Sequence, residues 1–310
     1  NLHNVSNNIK ELTNRTPIKK IFEVINNYSS ESEVRYVGGC IRKIINKEKI
    51  DDIDLATNLK PIEVCDVLKK NNINYYESGI AHGTITATEN EYKFEITTLR
   101  KDIVSDGRHA EVEFSKDWKE DASRRDFTIN SIYSDKDGNL FDPFNGKDDL
   151  KNKTIRHVSD AFIEDPLRVL RVARFYSKLA PLGFKIEQST ETLLIDLIPS
   201  IVHLPGERIW QEIQKVLSSK NPLPFFELIW MLAYRSEFYS LHFEYTQPHS
   251  LPRGPAGTEL WEPEDFFMHR FSGPSWEDGV YTGRDHLRLN PGLKSAESWW
   301  AIIGMIMKNR

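Results

Sequence analysis

Cysteine is nearly absent from this chain, with only Cys40 and Cys65 among 310 residues. Two thiols cannot build a disulfide framework, and their separation is not that of zinc ligands. A disulfide-rich secreted module and a Cys-based zinc domain are therefore excluded. Long apolar runs are missing too. The stretch 299–307, interrupted by Gly304, falls far short of the roughly 20 residues that span a bilayer. No basic leader with an apolar block and a small-residue cleavage site opens the sequence. There is no collagen-like repeat, no G-x-S-x-G elbow and no Walker-type loop. His82, His109, His157 and His203 lie far apart without i, i+4 pairing, so no zinc-hydrolase helix is suggested. The expectation is a soluble, cytoplasmic protein without a membrane anchor, large enough for two domains.

No excess of positive charge is present either. The net charge of −5 argues against a generic nucleic-acid coat, though it leaves room for a local basic face. Lysine almost vanishes after Lys220, with only Lys294 and Lys308 beyond it. After about Ser240 the chain turns rich in Trp, Pro, Gly, His and Arg, which marks a boundary. No sequence feature specifies an oligomeric state.

What is present reads as a sheet-containing half followed by a helical one. Residues 18–25 have an amphipathic helical pattern. Residues 34–37 form an apolar run ended by Gly38-Gly39, and 40–45 read as helix. A strand is expected over 53–56, then a helix from Pro61 burying Ile62, Cys65 and Leu68. Residues 84–88 and 92–98 alternate cleanly around Glu89-Asn90-Glu91, a hairpin pattern. From Asp160 the period shifts towards 3.6, with Val169, Val172, Ala173, Tyr176 and Leu179 on one face. Further helices are expected over about 189–197 (capped by Ser189), 207–217 and 222–234. Residues 299–307 suit one more short amphipathic helix.

Three constellations carry chemistry. Gly38-Gly39 lets backbone amides approach a phosphate, with Arg42 one turn on, and Asp52 and Asp54 follow closely. Carboxylates at i and i+2 on a strand share one side, and a divalent cation is the usual remedy for their repulsion. Glu95 shares a strand face with Lys93 and Thr97. It is either a third carboxylate at that site or a surface glutamate paired with Lys93. Next come Arg124 and Arg125, expected to lead into an alternating strand, where guanidinium forks match triphosphate oxygens. The bland reading is a solvated charge cluster. The last is Asp165 and Arg168, i, i+3 on a helix leading to Arg171 and Arg174. This pair suits either the edge of a base or a plain acidic helix start.

Together the runs YVGGCIRK (36–43), DDIDLAT (51–57), HGTITA (82–87), FEITTLRKD (94–102) and DGRHAEVEF (106–114) resemble the class II tRNA nucleotidyltransferases. These are the CCA-adding enzymes, with bacterial poly(A) polymerases as close relatives. RRDFTINSI (124–132), DPFNGKDDL (142–150), EDPLRVLRVARF (164–175) and GERIWQEI (206–213) extend the resemblance over about three quarters of the chain.

The resemblance implies an α+β head of nucleotidyltransferase (polymerase β-like) fold over 1–154. A helical neck and the start of a body follow over 155–238, and 239–310 resembles nothing in the family. It implies addition of CCA to the tRNA 3′ end from CTP and ATP. Poly(A) addition, or a catalytically weak nucleotide- or RNA-binding protein, are the alternatives. Asp52 and Asp54 would hold two Mg²⁺ ions, Gly39 and Arg42 would contact the nucleotide, and Arg124 or Arg125 the triphosphate. Asp165 and Arg168 would act as a protein template, supported by Arg171 and Arg174. A flexible loop within 101–118, with Asp106-Gly107-Arg108, favours full CCA addition. The sequence departs from the family at Lys43, where an acidic residue is usual.

Overall fold

The computed structural model describes residues 2–50, 53–103, 111–159, 162 and 164–236. Asp52, the loop residues Asp106-Gly107-Arg108 and the expected helix over 299–307 lie outside them. The chain divides into two compact units, with the boundary between Glu164 and Asp165.

The first unit opens with helices α1 (Leu2–Arg15) and α2 (Ile18–Asn26), then strand β1 (Val34–Val37) and helix α3 (Gly39–Ile45). Strand β2 (Ile53–Thr57), helix α4 (Pro61–Lys70) and strands β3 (Asn74–Gly79), β4 (Thr84–Glu89) and β5 (Tyr92–Thr98) follow. In α2, Ile18, Ile21, Phe22 and Ile25 are buried at the i, i+3, i+4, i+7 spacing of one helical face. Helix α4 starts at Pro61, whose missing N–H would have no helical partner, and the Lys60 amide donates to Glu63 Oε2 at 2.8 Å. Its buried stripe is Val64, Cys65, Val67 and Leu68. Ile62 was expected there, but it is 68% exposed because it falls about 100° around the helix from Pro61, which is buried.

The β4–β5 hairpin turns on Asn90 and Glu91, both at positive φ (47° and 68°), a two-residue turn whose twist suits the strands. Strands β6 (Arg100–Ile103) and β7 (Glu111–Phe114) pair antiparallel, so the segment expected as a loop over 101–118 is partly a ribbon. Helix α5 (Trp118–Ser123), strands β8 (Tyr133–Ser134) and β9 (Leu140–Phe141) and helix α6 (Gly146–Lys151) complete the unit.

The main sheet is seven-stranded in the order β3-β4-β5-β2-β1-β8-β9. Only the β2–β5 pair within it is parallel. Ile53, Leu55, Phe94 and Ile96 alternate inward and are all buried, while Glu95 stands on the opposite face.

The second unit contains four α-helices among the described residues: α7 (Leu167–Leu179), α8 (Gln188–Leu197), α9 (Gly206–Leu217) and α10 (Leu223–Arg235). Helix α7 packs on α9 and α10, and its Val169, Val172, Ala173 and Leu179 are buried, with Tyr176 half-buried. The cap of α8 is Glu187 rather than Ser189, since its carboxylate accepts the Ser189 and Thr190 amides at 2.8 and 3.2 Å. The expected order, an α+β head and then helices, is the order observed.

Candidate active site

In the first unit the glycine turn, one acid and one arginine converge on a single point. Gly38 links β1 to α3 at φ 73° and ψ −131°, a conformation open essentially to glycine. A Cβ there would lie 3.9 Å from each of Asp54 Oδ2, Arg125 Nη1 and the Asn130 carbonyl. The side chains of Asp54 and Arg125 thus flank the turn. Gly39 begins α3, and Arg42, one turn on, is only 8% exposed. Its Nε donates to Asn130 Oδ1 at 3.3 Å, and Nη1 lies 3.8 Å from Glu48. Where the family usually has an acid at Lys43, this chain places Glu48 and Asn130 around the guanidinium.

Asp54 and Glu95 are register partners on β2 and β5, so their carboxylates stand side by side on one face. Along the same row Glu95 opposes Thr86, and Thr86 opposes Tyr76. Ile53, Asp54, Tyr76, Thr86, Lys93 and Glu95 line a cavity of about 320 Å³. Cys40 lies against this site from α3. Burial pushes its thiol up to about 12, and the nearby Asp54 charge adds to the rise.

Arg124 and Arg125 follow α5 and share one anchor that sequence reasoning missed. Asp121 is 1% exposed and accepts from Arg124 Nε at 3.1 Å, Arg125 Nη2 at 3.1 Å and Tyr133 Oη at 2.6 Å. The Arg100 amide adds a bond of 3.0 Å. Burial pushes the Asp121 carboxyl up, but Arg125, Arg124, Tyr133 and that amide outweigh it and hold it below the usual range. The signal was available: Asp121 sits three and four residues before the two arginines, the spacing of helical neighbours. The alternating strand expected after Arg125 is absent. Phe127 makes an isolated bridge to His157, and Thr128–Asn130 is a 3-10 turn that aims Asn130 at Arg42.

In the second unit, Asp165 sits at the start of α7. Its Oδ1 accepts the Leu167 amide at 3.0 Å, and its Oδ2 accepts from Arg208 Nη2 at 2.7 Å. Arg168, one turn on, is 8% exposed, while Arg171 is exposed. Arg174 Nε donates to Glu212 Oε2 at 2.7 Å, and Lys215 Nζ to Glu212 Oε1 at 2.8 Å. Glu212 is 5% exposed; burial raises its carboxyl, and Lys215 and Arg174 bring it below the usual range. Arg208 and Glu212 were missed as individuals, although both stand in the GERIWQEI run.

The sequence matches the family model for the poly A polymerase head domain over residues 34–156. It also matches the model for the probable RNA and SrmB-binding site of polymerase A over 183–233. The chain is similar to the mitochondrial CCA tRNA nucleotidyltransferase 1 of Homo sapiens, 42% identical over 204 residues, 64% of this chain and 47% of that one. It is 38% identical to the CCA-adding enzyme of Listeria innocua over 193 residues, 61% of this chain and 47% of that one. The chain thus spans about half the length of the curated relatives it matches. A solved structure of the Bacillus stearothermophilus CCA-adding enzyme with CTP aligns at TM-score 0.58 and 29% identity, over 71% of this chain and 52% of that one. A CCA-adding enzyme in apo form aligns at TM-score 0.64 and 23% identity over 96% of this chain and 68% of that one, a likeness of fold.

One expectation is overturned. The human, mouse and zebrafish relatives, 40–42% identical, are named mitochondrial, against the cytoplasmic placement. Composition reports on folding and solubility, whereas a compartment is set by a separate sorting signal. No helix among the described residues is long and apolar enough to cross a membrane.

Proposed function

This chain belongs to the class II tRNA nucleotidyltransferases, the CCA-adding enzymes related to poly(A) polymerases, and from that membership we propose that it adds C, C and A to tRNA 3′ ends from CTP and ATP, releasing pyrophosphate. The observation that carries the reading is the meeting of Asp54, Arg125 and the Gly38 turn beside Glu95. Phosphoryl transfer asks mainly for positioning and charge neutralisation, and this arrangement supplies groups for both.

Asp54 and Glu95 offer hard carboxylate oxygens on one face, the donor chemistry Mg²⁺ prefers. Among the described residues no group of three such side chains is close enough to hold an ion, and Asp52 lies outside them. In this reading Asp52 and Asp54 hold two Mg²⁺ ions with Glu95 alongside. When bound, the ions supply activation of the RNA 3′-hydroxyl and neutralisation of the triphosphate. The Gly39 amide and Arg42 contact the nucleotide. Arg124 and Arg125 keep N–H donors for phosphate oxygens, because Asp121 takes only one edge of each fork. Asp165 and Arg168 select the base, with Arg171 and Arg174 in support.

The test is incubation of the full chain with a tRNA transcript lacking CCA, Mg²⁺ and each labelled nucleotide in turn. CTP incorporation followed by a single A supports the proposal. Extension by repeated A alone assigns poly(A) addition instead, and no extension with retained nucleotide binding assigns a binding protein.

A further inference from the structure

We propose that Tyr76 and Lys93 form a bench for the single-stranded 3′ end of the RNA, beside the carboxylates Asp54 and Glu95; this rests on the transferase reading above. The two are positioning residues, taking a base and a phosphate respectively.

The argument starts from the row of register partners. Asp54 faces Glu95, Glu95 faces Thr86 and Thr86 faces Tyr76, so one line of side chains crosses four strands. Three interstrand steps of about 4.8 Å put the Tyr76 backbone about 14 Å from that of Asp54. At a rise of about 3.4 Å per stacked nucleotide, that is the length of a terminal stretch of about four. Thr86 between them is short and 2% exposed, with its hydroxyl turned to Ser78 at 2.7 Å. The floor of the cavity therefore dips between the acids and the ring.

Tyr76 is not a core residue. It is 47% exposed, and its strand β3 is at the edge of the sheet. An exposed aromatic that ends a polar row and lines the acidic cavity suits base stacking, which tolerates any base. Lys93 is the cation among the residues lining that cavity, two positions before Glu95 on the same face of β5. Beside two carboxylates that repel phosphate, an exposed ammonium gives the backbone its favourable place. Ring and cation together are the elements of a single-strand site; the polar lining does not suit an apolar protein segment.

The experiment compares the full wild-type chain with Tyr76→Ala, Tyr76→Phe and Lys93→Met. Two RNAs are used: a tRNA transcript lacking CCA for extension, and a fluorescein-labelled single-stranded RNA ending in two cytidines for anisotropy. Tyr76→Ala is expected to raise the RNA Kd and the KM for tRNA about tenfold, with the KM for CTP unchanged. Tyr76→Phe keeps the ring and restores both values. Lys93→Met is expected to lower the slope of log affinity against log salt by about 0.7, the loss of one single-strand phosphate contact. The bench is overturned if Tyr76→Ala binds both RNAs like wild type, if Tyr76→Phe is as impaired as Tyr76→Ala, or if Lys93→Met leaves the salt slope intact. Wild type that binds RNA through Tyr76 yet extends no tRNA would sink the transferase reading and leave the bench standing. Extension that proceeds with Tyr76→Ala unimpaired would do the reverse.

Discussion

Asp54 and Glu95 are direct partners across two adjacent parallel strands, although 40 residues separate them in the chain. Two like charges fixed side by side repel each other and favour a cation between them. Asp54→Ala is therefore expected to lower nucleotide incorporation by at least about 100-fold. The variant should still melt in a single folded transition, so that the loss is not one of folding. A gel assay and a melting curve on the same sample check both. Full incorporation by this variant would exclude Asp54 from the reaction.

Asp121 carries the opposite logic, as a buried acid surrounded by donors. Removing one partner of a buried charge cluster costs about 3–5 kcal/mol, so Asp121→Ala should lose stability on that scale in urea. Arg124 and Arg125 lose their anchor at the same time, and nucleotide affinity should fall with it.

The same residue gives a pH dependence with a definite sign. Its folded pKa lies below the unfolded value of about 3.9. The associated stability is fully present above that value and is lost as pH falls through it towards the folded pKa. Glu212 acts in the same direction. Urea midpoints measured from pH 6 down to pH 3 should fall, and Asp121→Asn should flatten that fall.

Cys40 is 1% exposed, and its thiol titrates near 12 because it is buried beside Asp54. The thiolate is the reactive form, so Cys40 should resist a thiol reagent at pH 8 in the folded protein. Cys65 is buried and its pKa is also raised, first by that burial. Mass spectrometry should find little labelling in buffer and both sites labelled in denaturant. Rapid labelling of Cys40 under native conditions would contradict the packing of α3.

Arg208 holds Asp165 Oδ2 in a partly exposed pair, whose stability contribution is about 0–1 kcal/mol. Arg208→Ala should leave the melting curve nearly unchanged while removing one of the two hydrogen bonds that orient the Asp165 carboxylate. Misincorporation of UTP and GTP relative to CTP and ATP should rise. Unchanged selectivity would show that Arg208 does not orient Asp165 for base reading.

Gly38 adopts φ 73° with ψ −131°, where any side chain is strained. A Cβ there meets only ordinary contacts at 3.9 Å, so the cost of Gly38→Ala is conformational, about 1–3 kcal/mol. Urea denaturation measures it. Nucleotide affinity should weaken as well, because the turn that aims the Gly39 amide would shift.

Much of the secondary structure was legible because it is local. The i, i+3, i+4 pattern of α2, the start of α4 at Pro61 and the alternation across Asn90 and Glu91 follow from backbone sterics and side-chain periodicity. Errors arose where a local signal competed with packing. Ile62 is apolar but lies outside the stripe that faces the core, and Glu187 reaches the α8 amides that Ser189 was expected to cap. The run after Arg125 alternates like a strand, yet it breaks into a bridge and a 3-10 turn.

The residue types and their order determined which chemistry the chain is equipped for: glycines before a helix, acids on a strand, paired arginines and an acid–arginine helix start. Only the tertiary structure decided which of them meet. The parallel pairing of β2 with β5 put Glu95 beside Asp54, which alternation along β5 could not reveal. The fold of α5 against Tyr133 turned two apparently solvated arginines into an ordered pair on Asp121. The physical reason is common to both. Spacing along the chain sets the side a residue faces, but the neighbours on that side arrive from strands and helices far away in sequence.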